Sequence, residues 1–227
     1  ERHLNTRMNI PAPVNEQELL SRARNLAGLT LQQLAGQCHI AVPASLKHAK
    51  GWTGQLLEQA LGADAGTAPA PDFSQLNTEL KTIPINDQGR PAESTYVCVV
   101  QLDPAALGRW EDSLVRKKLG KVLWIPIEAG QNTPLPLRRI GSAVLWQPNA
   151  DQERQLKQDW QELSDMIVMG EIDKISASMG KYLQIRPKAA NAGKLTADKN
   201  NPAADRPTLP RGFYLRASFT QSIISDT

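Results

Sequence analysis

Apolar positions along the chain recur at two different periods, and the breaks between them mark the elements. Asn15 with Glu18 forms a capping-box signature ahead of Leu19, Leu20, Ala23 and Leu26, which keep helical spacing up to Gly28. Thr30 with Gln33 repeats the device for a second short helix. After a break at Gly51, residues 52–61 place Leu56, Leu57, Ala60 and Leu61 on one stripe, with Glu58 beside that stripe and not opposite it. A linker rich in Ala, Gly and Pro, 62–71, delivers the chain to Asp72. Period two follows in 76–83 and in 94–102, the latter centred on Tyr96-Val97-Cys98-Val99-Val100. Joined through the turn residues Asn86-Asp87-Gln88-Gly89, these two stretches read as an antiparallel hairpin. Residues 110–119 read as a helix closed by Gly120, 121–128 as a buried strand and 143–146 as another short one. The longest helix is expected over 151–169, with Leu156, Trp160, Leu163 and Ile167 on one stripe and an acidic face opposite. A short strand at 182–185 leads into Arg186-Pro187-Lys188, 188–210 is loop-like, and 212–216 is a last strand before a C-terminal helix. This order predicts an α/β (α+β) fold, a mixed sheet flanked by helices.

At 227 residues the chain fits one substantial domain or two closely packed lobes. The longest apolar run, 122–127, is far too short to span a bilayer, so neither secretion nor membrane insertion is expected and a cytoplasmic location is. Cys38 and Cys98 have no Cys-x-x-Cys spacing and no His cluster, which argues against a disulfide scaffold or a zinc site and for buried thiols. The net charge of +3 says little until it is mapped. From 181 to 216 the bases are Lys181, Arg186, Lys188, Lys194, Lys199, Arg206, Arg211 and Arg216, against Asp198 and Asp205. A second basic knot is Arg116-Lys117-Lys118 with Lys121, whereas 151–173 is predominantly acidic. Such segregation suits a protein that shows one face to a polyanion, although solvated charges on ordinary helices are the alternative for either segment.

The chemistry concentrates in Asp72 and Glu79-Leu80-Lys81. On a strand, Glu79 and Lys81 share a face while Leu80 points into the core, and Asp72 returns from the preceding loop. Two carboxylates offer hard oxygen ligands to Mg²⁺, and a lysine alongside can orient or deprotonate a water for attack on a phosphodiester. The pattern is common enough to arise about once per chain by chance, so a solvated strand edge is the competing reading. Against that, an acidic residue two before a lysine occurs in this chain only at Glu79 and Lys81, on a half-buried strand. Glu58 is either a rim residue on its apolar stem or a group aimed into a polar cleft. Arg186 and Lys188 flank a stiffening proline, and cations so presented suit the major-groove acceptors of guanine. His48 is a lone imidazole and no catalytic base is expected there.

These residues lie in blocks whose order resembles the MutH family, the strand-discriminating endonucleases of bacterial methyl-directed mismatch repair. The blocks are Lys50-Gly51-Trp52 with Glu58, Asp72 with Glu79-Leu80-Lys81-Thr82, Val115-Arg116 with Lys118-Leu119, and Val122-Leu123-Trp124-Ile125-Pro126. Two more are Leu183-Gln184-Ile185-Arg186-Pro187-Lys188-Ala189-Ala190-Asn191 and Thr208-Leu209-Pro210-Arg211-Gly212-Phe213-Tyr214-Leu215, and the whole runs over 17–222. The resemblance implies a restriction-endonuclease-like fold of two lobes around a DNA cleft. It implies Mg²⁺-dependent nicking of the unmethylated strand at hemimethylated GATC in double-stranded DNA, 5′ of the G, stimulated by MutL and indirectly by MutS. Carried over residue by residue, Asp72, Glu79 and the Leu80 carbonyl hold the metal, Lys81 lies near the attacking water, and Glu58 and Lys118 complete the catalytic set. DNA contacts fall to Lys50, Arg186 and Lys188, with Tyr214 and Tyr96 lining the adenine position. The expected organisation is an N-terminal tail, 1–13, and one nuclease domain, 14–227, acting as a monomer. Within it the catalytic lobe is mainly 14–83 and 110–119, and the DNA-reading lobe mainly 84–109 and 120–227. The chain departs from the family pattern at His48-Ala49 for Arg-Asp, at Asn77-Thr78 for Gly-Val, and at Leu114 and Lys117 for two histidines; none of these removes a ligand. A restriction enzyme cutting both GATC strands and a DNA-binding scaffold without catalysis are the rival expectations.

Overall fold

Side-chain caps set the helix starts where the sequence places them. The computed structural model describes residues 8–45, 49, 51–188 and 210–226. In α1 (Glu16–Asn25) the Asn15 side chain accepts from the Glu18 amide, and Glu18 turns to the Val14 amide. In α2 (Leu31–Gln37) Thr30 and Gln33 make the full reciprocal box. Helix α3 (Trp52–Leu61) begins after Gly51 and stops at Gly62, which sits at φ 80° with its Cα facing the Pro11 carbonyl so closely that a Cβ would lie 2.4 Å from that oxygen. Pro11 and Pro13 pack onto the unit that follows them: the Arg22 guanidinium holds the Pro11 carbonyl at 2.7 Å and Pro13 is buried.

The chain divides into two compact units, and each is built on its own three-stranded sheet. The first unit takes residues 1–92, 121–146 and 223–227. Its sheet runs β1 (Glu79–Ile85), β3 (Val122–Glu128), β4 (Val144–Trp146), with β1 parallel to β3 from Glu79 opposite Val122 to Ile85 opposite Glu128. One face of that sheet, through Leu80, Leu123, Ile125 and Ile127, joins Leu19, Leu31, Leu34, Leu56, Leu57 and Leu61 of the three helices in a single core. Each fully buried leucine there contributes roughly 1.5–3 kcal/mol relative to exposure, which seats α3 and its Glu58 against β1.

The second unit takes residues 93–120 and 147–222. Its sheet is antiparallel with β6 (Arg211–Leu215) central between β2 (Thr95–Val99) and β5 (Leu183–Pro187). Phe213 and Leu215 of β6 with Leu183 and Ile185 of β5 are buried, α6 (Ala150–Val168) packs on β5 and α5 (Leu114–Leu119) on β2. Asp159 of α6 is 2% exposed and ties the helix to the sheet by accepting from the amides of Tyr182 and Leu183 and from the Gln155 carboxamide, at 2.7–2.9 Å. Helix α4 (Pro104–Leu107) is a single capped turn, and α7 (Ala217–Ser225) follows β6 directly.

Three expectations are corrected. The hairpin does not form: the Asn86 turn is present, with Asn86 Oδ1 accepting from Gln88 and Arg90, but it closes only the single bridge Ile85 to Pro91. Pro91 has no amide to continue a ladder, and β1 and β2 enter different sheets. The 110–119 helix is two pieces, a 3₁₀ turn at Trp110–Asp112 and then α5, because the Ser113 hydroxyl caps Arg116 N and restarts the helix. The lobes also divide differently: 121–146 belongs with the first unit because β3 pairs with β1, and 93–120 with the second because β2 pairs with β6 and α5 packs on β2.

Candidate active site

Strand β1 is an edge strand, so one side of its backbone is left over by the ladder to β3, and Asp72 meets that free edge. The Glu79 amide donates to the Lys121 carbonyl on the β3 side, whereas the Leu80 amide points the other way and donates to Asp72 Oδ2 at 2.8 Å. A residue in a strand turns its N–H and C=O to the same edge, so the Leu80 carbonyl shares the edge that carries the Asp72 carboxylate. The Asp72 loop is itself fixed: Phe73 and Thr78 exchange both backbone bonds around a 3₁₀ turn at Ser74–Leu76. Asn77 closes that turn at φ 47°, a left-handed position that Asn tolerates and that explains why it stands where the family pattern has glycine.

Glu58 projects from α3 into the same place. Its carboxyl is pushed up from 4.5 to about 7 by burial first, then by repulsion from Asp72 and from Glu79. Asp72 and Glu79 are thus each close enough for their charge to act on Glu58, and Glu79 is 7% exposed. Lys81 lies two positions on from Glu79, on the same face of β1 and beside Trp124 of β3. Among the described residues no three acidic, imidazole or thiolate side chains converge tightly enough to be a ligand set on their own. An all-oxygen donor set of two carboxylates and a carbonyl fits a hard divalent cation that keeps several waters and does not fit a caged zinc. Lys118 is on α5 in the second unit, half-buried. Lys50 and His48 lie outside the described residues.

The residues expected to contact bases share one face of the second sheet. Alternation along β6 and β5 sends Phe213, Leu215, Leu183 and Ile185 to the core and Gly212, Tyr214, Gln184 and Arg186 to the other side. Tyr96 of β2 lies opposite Tyr214, their rings edge to face at 5.4 Å, and the Lys188 ammonium stands 5.0 Å over the Tyr96 ring. Arg186 donates to the Ser94 hydroxyl at 3.0 Å. The Tyr214 hydroxyl is pushed up by burial and by Tyr96, against the pull of Arg186 and Lys188. Gly212 is required by close approach: a Cβ there would meet Tyr96 Cε2 at 2.8 Å and Tyr214 Cε2 at 3.0 Å. Sequence reasoning missed Gly212, Gln184 and Ser94, although the period-two pattern of β5 and β6 places Gly212 and Gln184 on the face of Tyr214.

Much of the basic segregation is structural. Arg216 donates to the carbonyls of Ala177, Met179 and Gly180, and Arg211 bonds the Ile172 carbonyl beside Asp173. Arg116 pairs with Glu153, whose Oε1 also accepts from Trp110, and Lys121 pairs with Glu16. Lys194, Lys199 and Arg206 lie outside the described residues. Cys38 and Cys98 are both buried and outside any disulfide, and no helix among the described residues is long and apolar enough to cross a membrane.

Known proteins resemble this chain over nearly its full length. The family model described as MutH, DNA mismatch repair enzyme, matches residues 61–159, which take in Asp72, Glu79, Lys81 and Lys118. The DNA mismatch repair protein MutH of Serratia proteamaculans (strain 568) is 50% identical over 215 residues, 95% of this chain and 94% of that protein. That of Escherichia coli (strain UTI89 / UPEC) is 50% identical over 213 residues, covering 94% and 93%.

Proposed function

This chain belongs to the MutH family of DNA mismatch repair endonucleases, hydrolases of phosphodiester bonds with a restriction-endonuclease-like fold, and from that premise we propose that it nicks one strand at a hemimethylated site. The site is GATC in double-stranded DNA, the strand cut is the unmethylated one, and the cut falls 5′ of the G. The metal is Mg²⁺, the activator is MutL acting downstream of MutS, and the enzyme works as a cytoplasmic monomer. The observation that supports this reading is Asp72 held at the free edge of β1 by the Leu80 amide, with the charges of Asp72 and Glu79 acting on Glu58 and with Lys81 on the same face of β1 as Glu79.

Asp72 and Glu79 would hold the cation, with the Leu80 carbonyl as a further oxygen. When bound, Mg²⁺ supplies charge neutralisation and polarisation at the scissile phosphate. The Leu80 amide fixes one Asp72 oxygen and leaves the other available without a rotamer search. Lys81 orients the attacking water and helps it lose its proton, and Lys118 contributes positive charge at the phosphate as negative charge develops. Glu58, protonated for part of the time near neutrality, ionises as the site loads and adds its charge to the cation's surroundings. On the second sheet Arg186 and Lys188 address guanine's acceptors, while Tyr214 and Tyr96 bound the space in which an adenine methyl would sit. Lys50 is assigned to the DNA backbone.

The test is incision of hemimethylated, unmethylated and fully methylated GATC plasmids with Mg²⁺ and MutL. Nicked circles are expected wherever a strand lacks the methyl group and none on the fully methylated plasmid. Linear DNA as the first product would replace this reading with a restriction enzyme, and binding without any incision would replace it with a scaffold.

A further inference from the structure

An open cavity of mixed lining lies in the second unit, beside the face that carries Tyr214 and Arg186. It is open to solvent, has a volume of about 440 Å³, and is lined by Ser94, Ala177, Gln184, Arg186, Arg216 and Ser218. No carboxylate lines it among the described residues, while two guanidiniums do. Arg216 is locked in the wall by its bonds to the carbonyls of Ala177, Met179 and Gly180, which use its donors without cancelling its charge. Helix α7, nine residues long, starts in the same wall. In its first turn Phe219 and Thr220 donate to the Arg216 carbonyl, and the amides of Ala217 and Ser218 are the ones left over at the positive end of the helix.

Gln184 supplies an independent sign of a ligand. It is 5% exposed, it lines the cavity, and among the described residues nothing hydrogen-bonds its carboxamide. Buried carboxamides are ordinarily satisfied, and one turned into an acid-free cavity has two N–H donors to offer. One fixed guanidinium with a second, exposed one beside it, two hydroxyls, a carboxamide donor and a helix N-terminus describe a site for a tetrahedral anion.

We propose that this cavity seats one backbone phosphate of the bound DNA, with Gln184, Ser218 and the first turn of α7 as donors and Arg216 as a fixed charge. The seat rests on the reading of the chain as a DNA endonuclease and adds to it a sequence-independent anchor next to the base-reading residues. A phosphate held here fixes the register in which Arg186 and Tyr214 meet base edges.

The test is equilibrium binding of the full chain, without divalent cation, to two short duplexes of equal length, one with GATC and one without, across a salt series. Ser218→Asp and Gln184→Glu put a negative charge in the seat; the first also suits a helix N-terminus, and the second is isosteric, so both should fold, as an unchanged thermal midpoint would verify. Each is expected to weaken binding to both duplexes by the same factor, about tenfold at low salt, and to reduce the slope of log K against log salt by about one. Unchanged affinity and slope in both variants would overturn the seat. A loss confined to the GATC duplex would overturn it too, by making these residues readers of bases. If the parent chain binds neither duplex, the DNA reading falls and the seat falls with it.

Discussion

Replacing Glu58 by Gln should make the metal-free protein more stable above neutrality and less able to cut. The Glu58 carboxyl titrates near 4.5 when the chain is unfolded and at about 7 when folded, because burial and the charges of Asp72 and Glu79 oppose its ionisation. A raised carboxyl pKa means that between those values the folded state keeps a proton the unfolded state has lost, so stability falls as pH rises through that window and stays low above it. At about 1.36 kcal/mol per unit, and allowing for solvent screening on its open side, the loss is on the order of 2–3 kcal/mol. Glu58→Gln removes the titration and keeps the shape. The difference in unfolding free energy between variant and parent should be flat below pH 4.5, grow in the variant's favour up to about pH 7, and level off. In melting temperature that is roughly 5–10 °C at pH 8 for a chain of this size. Chemical or thermal denaturation in EDTA across pH 4–9 measures it, and other titrations cancel in the difference. Mg²⁺ should narrow the gap at pH 8, since a bound cation removes the repulsion that Gln removes by losing its charge. A difference that does not vary with pH, or a variant less stable than the parent at pH 8, would refute the account of the carboxylate group.

Asp72→Asn keeps a side-chain oxygen to accept from the Leu80 amide, so folding and DNA affinity should be unchanged while incision falls by a factor on the order of 10³; normal cutting would sink the assignment. Asp159→Ala strands the Tyr182 and Leu183 amides and should cost about 3 kcal/mol or more in denaturant titration, with a cost under 1 kcal/mol counting against its role as the tie between α6 and β5. Gly212→Ala drives a methyl into the Tyr96 and Tyr214 rings, and should change the ratio of incision at unmethylated over methylated strands by about tenfold; an unaltered ratio would separate that ring pair from strand choice.

How much of this was legible from the sequence follows from the range of the interactions involved. The caps at Asn15 and Thr30, the glycines at 51 and 62 and the apolar stripe of 151–169 are local signals: α1 and α2 begin directly after their caps, and α3 and α6 begin and end within about two residues of where those signals put them. The Glu79 and Lys81 spacing was visible because a strand's period needs no partner to be read. Strand pairing was not: Leu76 to Val100 carries every mark of a hairpin, and only the competition with the strand at Val122 and the missing amide of Pro91 decide otherwise. Basic residues were over-read for the same reason, since nothing near Arg216 in sequence announces the three carbonyls that hold it. The role of Glu58 needed the resemblance, because one carboxylate beside an apolar stripe is silent about which loop and strand will face it.

The pairing of Leu80 with Leu123 has a consequence during synthesis. A ribosome adding about 5–20 residues per second releases the catalytic strand some 2–9 s before its partner exists. Through that interval Glu58, Asp72 and Glu79 are already made, yet β1 has no ladder to define its free edge. The edge against which Asp72 is held is thus defined only after residues 93–120, which belong to the other unit, have been made and the strand at Val122 has followed them.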